Sequence, residues 1–202
     1  MQLSFSLIKQ IGVLDRKAEA YLSLLNIDKG ATLEHSIEVS RLALLIADKI
    51  ESISYLERIY LRWGTLLHDI GKIDVGANIL LKKGPLCERE FARVREHPRA
   101  GFRRAKLAGF PCEVANIILY HHERMDGKGY PYGVTGDGIP VLAKICSVAD
   151  SFNAMVSNRS YRIKKCNHYA FQEMAAHAGK QFDVDIVNHL LELKPHIVVG
   201  GV

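Results

Sequence analysis

The sequence predicts an all-α protein. Apolar residues recur at spacings of three and four along most of the 202 residues, and strand-like alternation is scarce. The composition is that of an ordinary globular protein, with 48% apolar and 24% charged residues. A chain of this length fits one domain with a short appendage. We therefore expect a helical bundle built around one main core.

The first part of the chain is predicted to contain three helical segments. Residues 5–27 carry one or two short amphipathic helices. Residues 33–51 form a strong helix, with His35 on its apolar stripe. A third helix covers residues 54–70, and residues 72–87 after it are expected to be irregular.

Local signals mark the ends of the third helix. Ser54 and Glu57 have the spacing of a capping box at its start. Gly71 is predicted to end the helix as a C-cap. Gly64 lies four residues before His68 on the same face, where either a neighbouring helix or a metal cluster would approach closely.

The second part continues with shorter helices. Residues 88–96 are predicted to be helical, and Pro98 marks a junction after which the helix either restarts or continues with a kink. A long loop rich in glycine and proline runs from Asp126 to Pro140, and loops of this length in a compact domain are usually functional or disordered. Further helices are predicted at residues 112–122, 141–157, 167–179 and 183–192.

Charge and cysteine usage narrow the class of protein. The formal net charge is +5 and the isoelectric point about 9.0, which suits anionic partners such as nucleotides but also describes an ordinary soluble surface. The four cysteines form no Cys-x-x-Cys pair, so we expect reduced thiols. The sequence has no membrane-length apolar segment and no secretory signal pattern. We expect a cytoplasmic protein that binds neither membrane nor nucleic acid polymer.

Seven residues with metal-ligand side chains fall at predicted helix ends or on apolar faces. Any one such histidine alone is usually a packed core residue. Adjacent buried imidazoles need polar partners, however, and an aspartate next to a histidine can bridge two cations. The seven are His35, His68, Asp69, His97, His121, His122 and Asp150. The histidines that lack this context, and are expected to be ordinary surface or core residues, are His168, His177, His189 and His196.

Two sequence runs carry a family resemblance. The first is His68-Asp69-Ile70-Gly71-Lys72. The second is His121-His122-Glu123-Arg124-Met125-Asp126-Gly127-Lys128-Gly129-Tyr130-Pro131. Both resemble motifs of the HD-GYP family, a subgroup of the HD phosphohydrolases, and the resemblance extends over about residues 31–190. It implies an HD-domain helical bundle with a binuclear metal site between helices. We expect this domain at residues 31–195, after an N-terminal helical segment at residues 1–30.

The resemblance implies a function and its cofactors. HD-GYP proteins hydrolyse cyclic di-GMP, so the chain is expected to be a metal-dependent phosphodiesterase that yields pGpG and/or GMP. Two divalent ions, iron or manganese, are implied. The first would be held by His35, His68, Asp69 and Asp150. The second would be held by Asp69, His97, His121 and His122, with Asp69 as the bridge.

The same resemblance assigns the remaining site residues. Asp69 and Lys72 would be catalytic, with a metal-bridging hydroxide attacking phosphorus in line with the leaving 3′ oxygen. Lys72 would neutralise charge on the phosphate. The ligand's phosphates or bases would be held by Lys72, Tyr130, Arg159 and Arg162.

Three positions depart from the family pattern. Members with a third metal carry a glutamate where this chain has Ala31, and the neighbouring Glu34 points elsewhere, so two ions are expected rather than three. Asp74 replaces a common glycine and either pairs with Lys72 or remains solvated. The usual Asp-Arg-Pro-Tyr-Arg stretch here reads Asn158-Arg159-Ser160-Tyr161-Arg162.

Other functions stay open at the level of sequence. One alternative is a catalytically weak signalling or adaptor domain that binds a cyclic dinucleotide. Another is an HD phosphohydrolase acting on nucleoside monophosphates or triphosphates. The Gly-Tyr-Pro loop also offers a docking surface for diguanylate cyclase or adaptor domains, and the N-terminal segment offers a surface for a homodimer.

Overall fold

A computed structural model of the protein describes residues 5–25, 31–157 and 166–199. Within these ranges the regular structure is helical and the other pairings are two isolated β-bridges, so the predicted all-α fold is confirmed. In chain order the helices are α1 Phe5–Ser23, α2 Ala31–Ala47, α3 Tyr55–Leu67, α4 Ala77–Leu80, α5 Glu88–Val94, α6 His97–Leu107, α7 Cys112–Tyr120, α8 Val141–Val156, α9 Asn167–Ala176, α10 Val184–Glu192 and α11 Lys194–Val199. Two short 3₁₀ helices cover Ile70–Asp74 and Gly136–Gly138.

Two clusters of buried apolar side chains hold the bundle together. The larger cluster joins α2, α3 and α7 to α8, α9 and α10. The second joins α1 and α6 to the opposite sides of α3 and α7. Leu61 and Ile117 belong to the first cluster, whereas Trp63 and Ile118 belong to the second. Helices α3 and α7 therefore lie between the two cores, and both end at predicted metal ligands.

Gly64 explains how closely α3 and α7 pack. A Cβ atom added at Gly64 would lie 2.5–2.8 Å from side-chain atoms of Ile117 on α7. Such an approach is shorter than a van der Waals contact, so only glycine fits without a shift. Of the two explanations that the sequence leaves open, the structure shows helix packing.

The start of α3 confirms one sequence prediction and its end corrects another. Ser54 caps the helix, and its side chain and that of Glu57 form the reciprocal capping box. The helix ends at Leu67, three residues before the predicted end, and Gly71 lies inside the following 3₁₀ helix rather than at a C-cap. A Cβ at Gly71 would overlap the backbone carbonyl of His97, so this glycine allows α6 to approach.

Helix α1 is a single continuous helix, one of the two arrangements expected for residues 5–27. Two other places differ from the predicted pattern. The segment 72–87, expected to be irregular, contains the four-residue helix α4, which buries Ile79. Helix α11 follows α10 after a break, because Pro195 fits only the first turn of a new helix. No helix among the described residues is both long and apolar enough to cross a membrane.

Candidate metal centre

All seven predicted metal ligands lie in or next to helices of the bundle. His35 is on α2 and Asp150 is on α8. His68 and Asp69 occupy the turn that follows α3, and His97 is the first residue of α6. The two remaining ligands, His121 and His122, follow the last residue of α7. Three helix ends, those of α3 and α7 and the start of α6, therefore contribute five of the seven residues, and α2 and α8 contribute the other two.

The structure brings these residues together in three overlapping groups. Within each group, one potential ligand atom per residue lies within 4.8 Å of the others. The groups are His35 with His68 and Asp150, His68 with Asp69 and His121, and His97 with His121 and His122. None of the other described histidines belongs to these groups. The first group contains three of the four residues expected at the first metal ion, and the third group contains three of the four expected at the second.

Asp69 lies between the two predicted ion positions. Its Oδ2 atom is 3.5 Å from Nε2 of His68, and its Oδ1 atom is 3.4 Å from Nε2 of His97. The carboxylate is buried, and each oxygen faces a histidine from a different group. This arrangement is the one that a bridging carboxylate requires.

Backbone carbonyls fix the orientation of three of the histidines. His68 donates Nδ1–H to the carbonyl of Thr65 at 2.6 Å, and His97 and His121 make the same bond three residues back at 2.7 and 2.8 Å. A carbonyl only accepts, so Nδ1 carries the proton and a neutral ring keeps its lone pair on Nε2. A hydrogen bond from the ring nitrogen that does not bind the metal is the usual means of orienting metal-ligating histidines.

The atoms left facing inward fit a cation. Nε2 of His68 is buried without a hydrogen-bond partner. His35 Nδ1 lies 2.6 Å from Oδ1 of Asn153, and its Nε2 lies 2.9 Å from Oδ1 of Asp150. With Nδ1 donating to the amide oxygen, Nε2–H of His35 donates to Asp150, and release of that proton would leave an imidazole lone pair beside a carboxylate. Imidazole lone pairs and carboxylates that converge in this way are a suitable donor set for divalent transition metals.

Burial keeps three of the histidines in the neutral form that can bind a metal. It lowers the pKa of His97 to about 3 and that of His122 to about 4. Burial also lowers the pKa of His121 well below its ordinary value. These imidazoles are therefore neutral near pH 7, and the neutral form is the one that ligates a metal.

The two carboxylates are ionised despite being enclosed. Burial raises the pKa of Asp69, but Lys72 and nearby histidines outweigh it and hold that pKa well below its ordinary range. For Asp150, burial is likewise outweighed, chiefly by the hydrogen bond to His35. Lys72 supplies positive charge beside Asp69, whereas Asp150 faces His35 and His68 and has no described lysine or arginine within ion-pair distance.

The structure decides the pairing of Lys72 and Asp74. Lys72 Nζ lies 2.5 Å from Oδ2 of Asp69, and it is the cation closest to that carboxylate. Asp74 pairs instead with Arg104, whose Nε and Nη2 donate to its two oxygens at 3.0 and 2.5 Å. Asp74 therefore does not pair with Lys72; it remains exposed, the other alternative, and forms its ion pair with a residue 30 positions away on α6.

The Gly-Tyr-Pro loop packs directly on the ligand group. The rings of Tyr130 and His122 are stacked, with centroids 4.6 Å apart and planes 30° apart. Burial, followed by the charges of Asp69 and Asp150, raises the pKa of Tyr130, so its hydroxyl stays protonated. The role of Tyr130 in holding substrate stays a prediction. Arg159 and Arg162, the other predicted substrate contacts, lie outside the described residues.

Two buried polar residues support the site and were not identified from the sequence. Glu123, only 2% exposed, accepts backbone N–H bonds from Tyr132, Gly133 and Val134 at 2.7–3.1 Å. Asn153 orients the ring of His35 from the next turn of α8. A glutamate directly after two histidines at the end of an apolar helix was the available signal for Glu123.

Known proteins resemble this chain in sequence. The family model described as HD domain matches residues 19–186. A Thermotoga maritima protein named cyclic di-GMP phosphodiesterase is 43% identical over 133 residues, which cover 65% of this chain and 36% of that protein. A Vibrio cholerae protein named 3'3'-cGAMP-specific phosphodiesterase 3 is 42% identical over 134 residues, covering 65% of this chain and 28% of that protein. The chain therefore spans about a third of the length of these relatives.

The fold is similar to that of solved structures. One of them, described as a HDG"Y"P protein from Bdellovibrio bacteriovorus, aligns with a TM-score of 0.68 at 21% identity. The alignment covers 96% of this chain and 65% of that one. The helical bundle, the HD motif at its centre and the match along most of the sequence agree with one another. The chain belongs to the HD domain family, as the resemblance to HD-GYP proteins predicted.

Proposed function

We propose that this chain is the catalytic region of a metal-dependent phosphodiesterase that hydrolyses cyclic di-GMP to pGpG and/or GMP. The observation that carries the proposal is the position of Asp69, with one oxygen facing His68 and the other facing His97. The names of the Thermotoga and Vibrio relatives support a cyclic dinucleotide as the substrate class.

The residues present fit two divalent ions. His35, His68, Asp69 and Asp150 would hold the first ion, and Asp69, His97, His121 and His122 would hold the second. The ions would supply a water of lowered pKa and stabilise charge on the phosphoryl oxygens. Iron or manganese suits a set of imidazoles and carboxylates, both of which these metals accept.

The protein's own groups contribute positioning and charge. Lys72 lies beside Asp69 and would neutralise charge that develops on the scissile phosphate. The carbonyl-bound histidines hold their Nε2 atoms in place, so the ligand set needs little reorganisation when a metal enters. Tyr130, Arg159 and Arg162 would contact the phosphates or bases of the ligand.

The cellular setting follows from the substrate class. We place the protein in the cytoplasm, where Cys87, Cys112 and Cys166 would remain reduced, and these exposed thiols are free in the structure. The loop at Tyr132, which is 57% exposed, would serve as the docking surface for a diguanylate cyclase or an adaptor. A homodimer through the N-terminal segment is part of the same proposal.

A turnover assay tests the proposed function. Protein loaded anaerobically with iron or manganese is incubated with cyclic di-GMP, 3'3'-cGAMP and cyclic di-AMP, and the products are separated by chromatography. We expect pGpG or GMP from cyclic di-GMP, and loss of that product in His68→Ala. Absence of turnover with either metal would contradict catalysis. Tight binding without hydrolysis, unchanged in His68→Ala, would indicate an adaptor domain instead.

A further inference from the structure

A series of side-chain contacts leads from the metal centre to the protein surface. His122 stacks on Tyr130, and the guanidinium carbon of Arg95 lies over the Tyr130 ring, 4.8 Å from its centroid. The same carbon is 5.9 Å from the centroid of Phe91, one turn earlier on α5. Phe91 is 51% exposed. Ring contacts therefore connect the predicted ligand His122, through Tyr130, to the exposed side chains of Arg95 and Phe91.

The N–H groups of Arg95 are not committed to an acidic partner. Arg99 and Arg104 on the neighbouring helix pair with Glu96 and Asp74. For Arg95, by contrast, no described carboxylate lies within the 4.0 Å distance of an ion pair. The aromatic rings engage the flat face of its guanidinium, which limits its orientation while leaving the N–H edge available.

The position of Arg95 favours contact with a base over contact with the scissile phosphate. A phosphate at the metal ions would lie beside Lys72 and the histidine Nε2 atoms. Arg95 is separated from His122 by the ring of Tyr130. In a nucleotide the base is joined to the phosphate through a ribose, so the base extends farther from the metal centre than the phosphate does.

We propose that Arg95 is a specificity-determining residue that recognises the O6 and N7 edge of a guanine in the substrate. This inference rests on the proposed cyclic dinucleotide phosphodiesterase function. Guanine presents two adjacent acceptors that match the paired N–H donors of a guanidinium. Adenine presents an amino donor in place of O6, which would face an arginine N–H. Arg95 would therefore favour cyclic di-GMP over cyclic di-AMP.

The test compares substitutions at Arg95, which directly follows α5, with a matched substitution two residues earlier on α5. We would measure kcat/KM of the metal-loaded protein for cyclic di-GMP, 3'3'-cGAMP and cyclic di-AMP. In Arg95→Ala, kcat/KM for cyclic di-GMP should fall about 10- to 100-fold, while the value for cyclic di-AMP changes by about twofold or less. Arg95→Lys should also lose most of the guanine preference, because an ammonium lacks the planar fork. Arg93→Ala removes the same charge from α5 and should leave the preference intact.

Two results would overturn the assignment. An equal loss for all three substrates would indicate a phosphate contact or a structural effect, and an unchanged preference would exclude base recognition. If the wild-type protein turns over none of the substrates, the proposed function fails. The affinities of wild type and Arg95→Ala for the same dinucleotides, measured by calorimetry, then decide the role of Arg95 separately. A loss of affinity confined to guanine-containing ligands supports that role, and any other pattern contradicts it.

Discussion

Glu123 offers the sharpest test of how the Gly-Tyr-Pro loop supports the metal centre. Its buried Oε1 accepts N–H bonds from Tyr132 and Gly133, and its Oε2 accepts one from Val134. Glu123 directly follows His122, a predicted ligand whose ring also stacks on the loop residue Tyr130. Changing Glu123 should therefore loosen the loop and the ligand together.

The size of the effect follows from the three bonds. In Glu123→Gln an amide NH₂ group replaces one carboxylate oxygen. With the amide oxygen in the place of Oε1, the NH₂ group faces the N–H of Val134, and two donors meet. One bond to a charged acceptor is lost and the other two become neutral bonds. A hydrogen bond to a charged group contributes about 1.5–3 kcal/mol and a neutral one about 1 kcal/mol, so the lost bond costs about 1.5–3 kcal/mol and each weakened bond about 0.5–2 kcal/mol. We expect the free energy of unfolding to fall by about 2.5–7 kcal/mol, towards the lower end because a neutral amide is less costly to bury.

Denaturant unfolding of metal-loaded and metal-free protein measures this effect. Amide exchange at residues 132–134 reports whether the loop opens locally before the bundle unfolds. Glu38→Gln is the matched control, because Glu38 is exposed in the middle of α2 and the same chemical change there should cost little. The metal content of each variant is measured alongside.

A neutral result would refute the role assigned to Glu123. If Glu123→Gln unfolds within about 0.5 kcal/mol of wild type, as surface substitutions do, the three bonds are not stabilising. Unchanged amide exchange at residues 132–134, together with unchanged metal content, would show that the loop does not depend on this carboxylate.

Three further outcomes are expected. Gly64→Ala should lower the free energy of unfolding by about 1–2 kcal/mol, because overpacking against α7 exceeds the gain in helix propensity, and a more stable variant would contradict the close packing. Ser54→Ala should cost about 1 kcal/mol at pH 7. The hydrogen bonds from Ser54 lower the pKa of Glu57, so this difference should shrink as the pH falls below the ordinary Glu57 value of 4.5, and a constant difference between pH 7 and pH 3 would contradict the pairing. Asn153→Ala should weaken binding of one metal ion about 10- to 100-fold by freeing His35, as competition with a chelator would show, and unchanged affinity would exclude this orienting role.

Features that depend on neighbouring residues in the chain could be predicted from the sequence. The Ser54–Glu57 box spans three residues, and it forms as expected. The grouping of the seven candidate metal ligands was also predictable, because each lies at a helix end or on an apolar face where an unpartnered polar group would be costly. The all-α fold that the helical periodicity predicted is confirmed by the structure.

Features that depend on distant partners could not be predicted in the same way. Asp74 pairs with Arg104, which lies 30 residues later in the chain, and this ion pair depends on how α6 packs against the 3₁₀ helix. Gly71 has the appearance of a helix stop, yet its role is to allow the backbone of His97 to approach. The donors to Glu123 are backbone N–H groups, which carry no signature in the amino-acid sequence.

Metal content tests most directly whether Asp69 bridges two ions. Wild-type protein and Asp69→Ala are purified anaerobically with iron or manganese, and bound metal per chain is measured by elemental analysis. Because the two oxygens of Asp69 face histidines of different groups, we predict two ions per chain in the wild type and at most one in Asp69→Ala. A wild type with one ion or three, or an Asp69→Ala variant that retains two, would contradict the bridged two-metal centre.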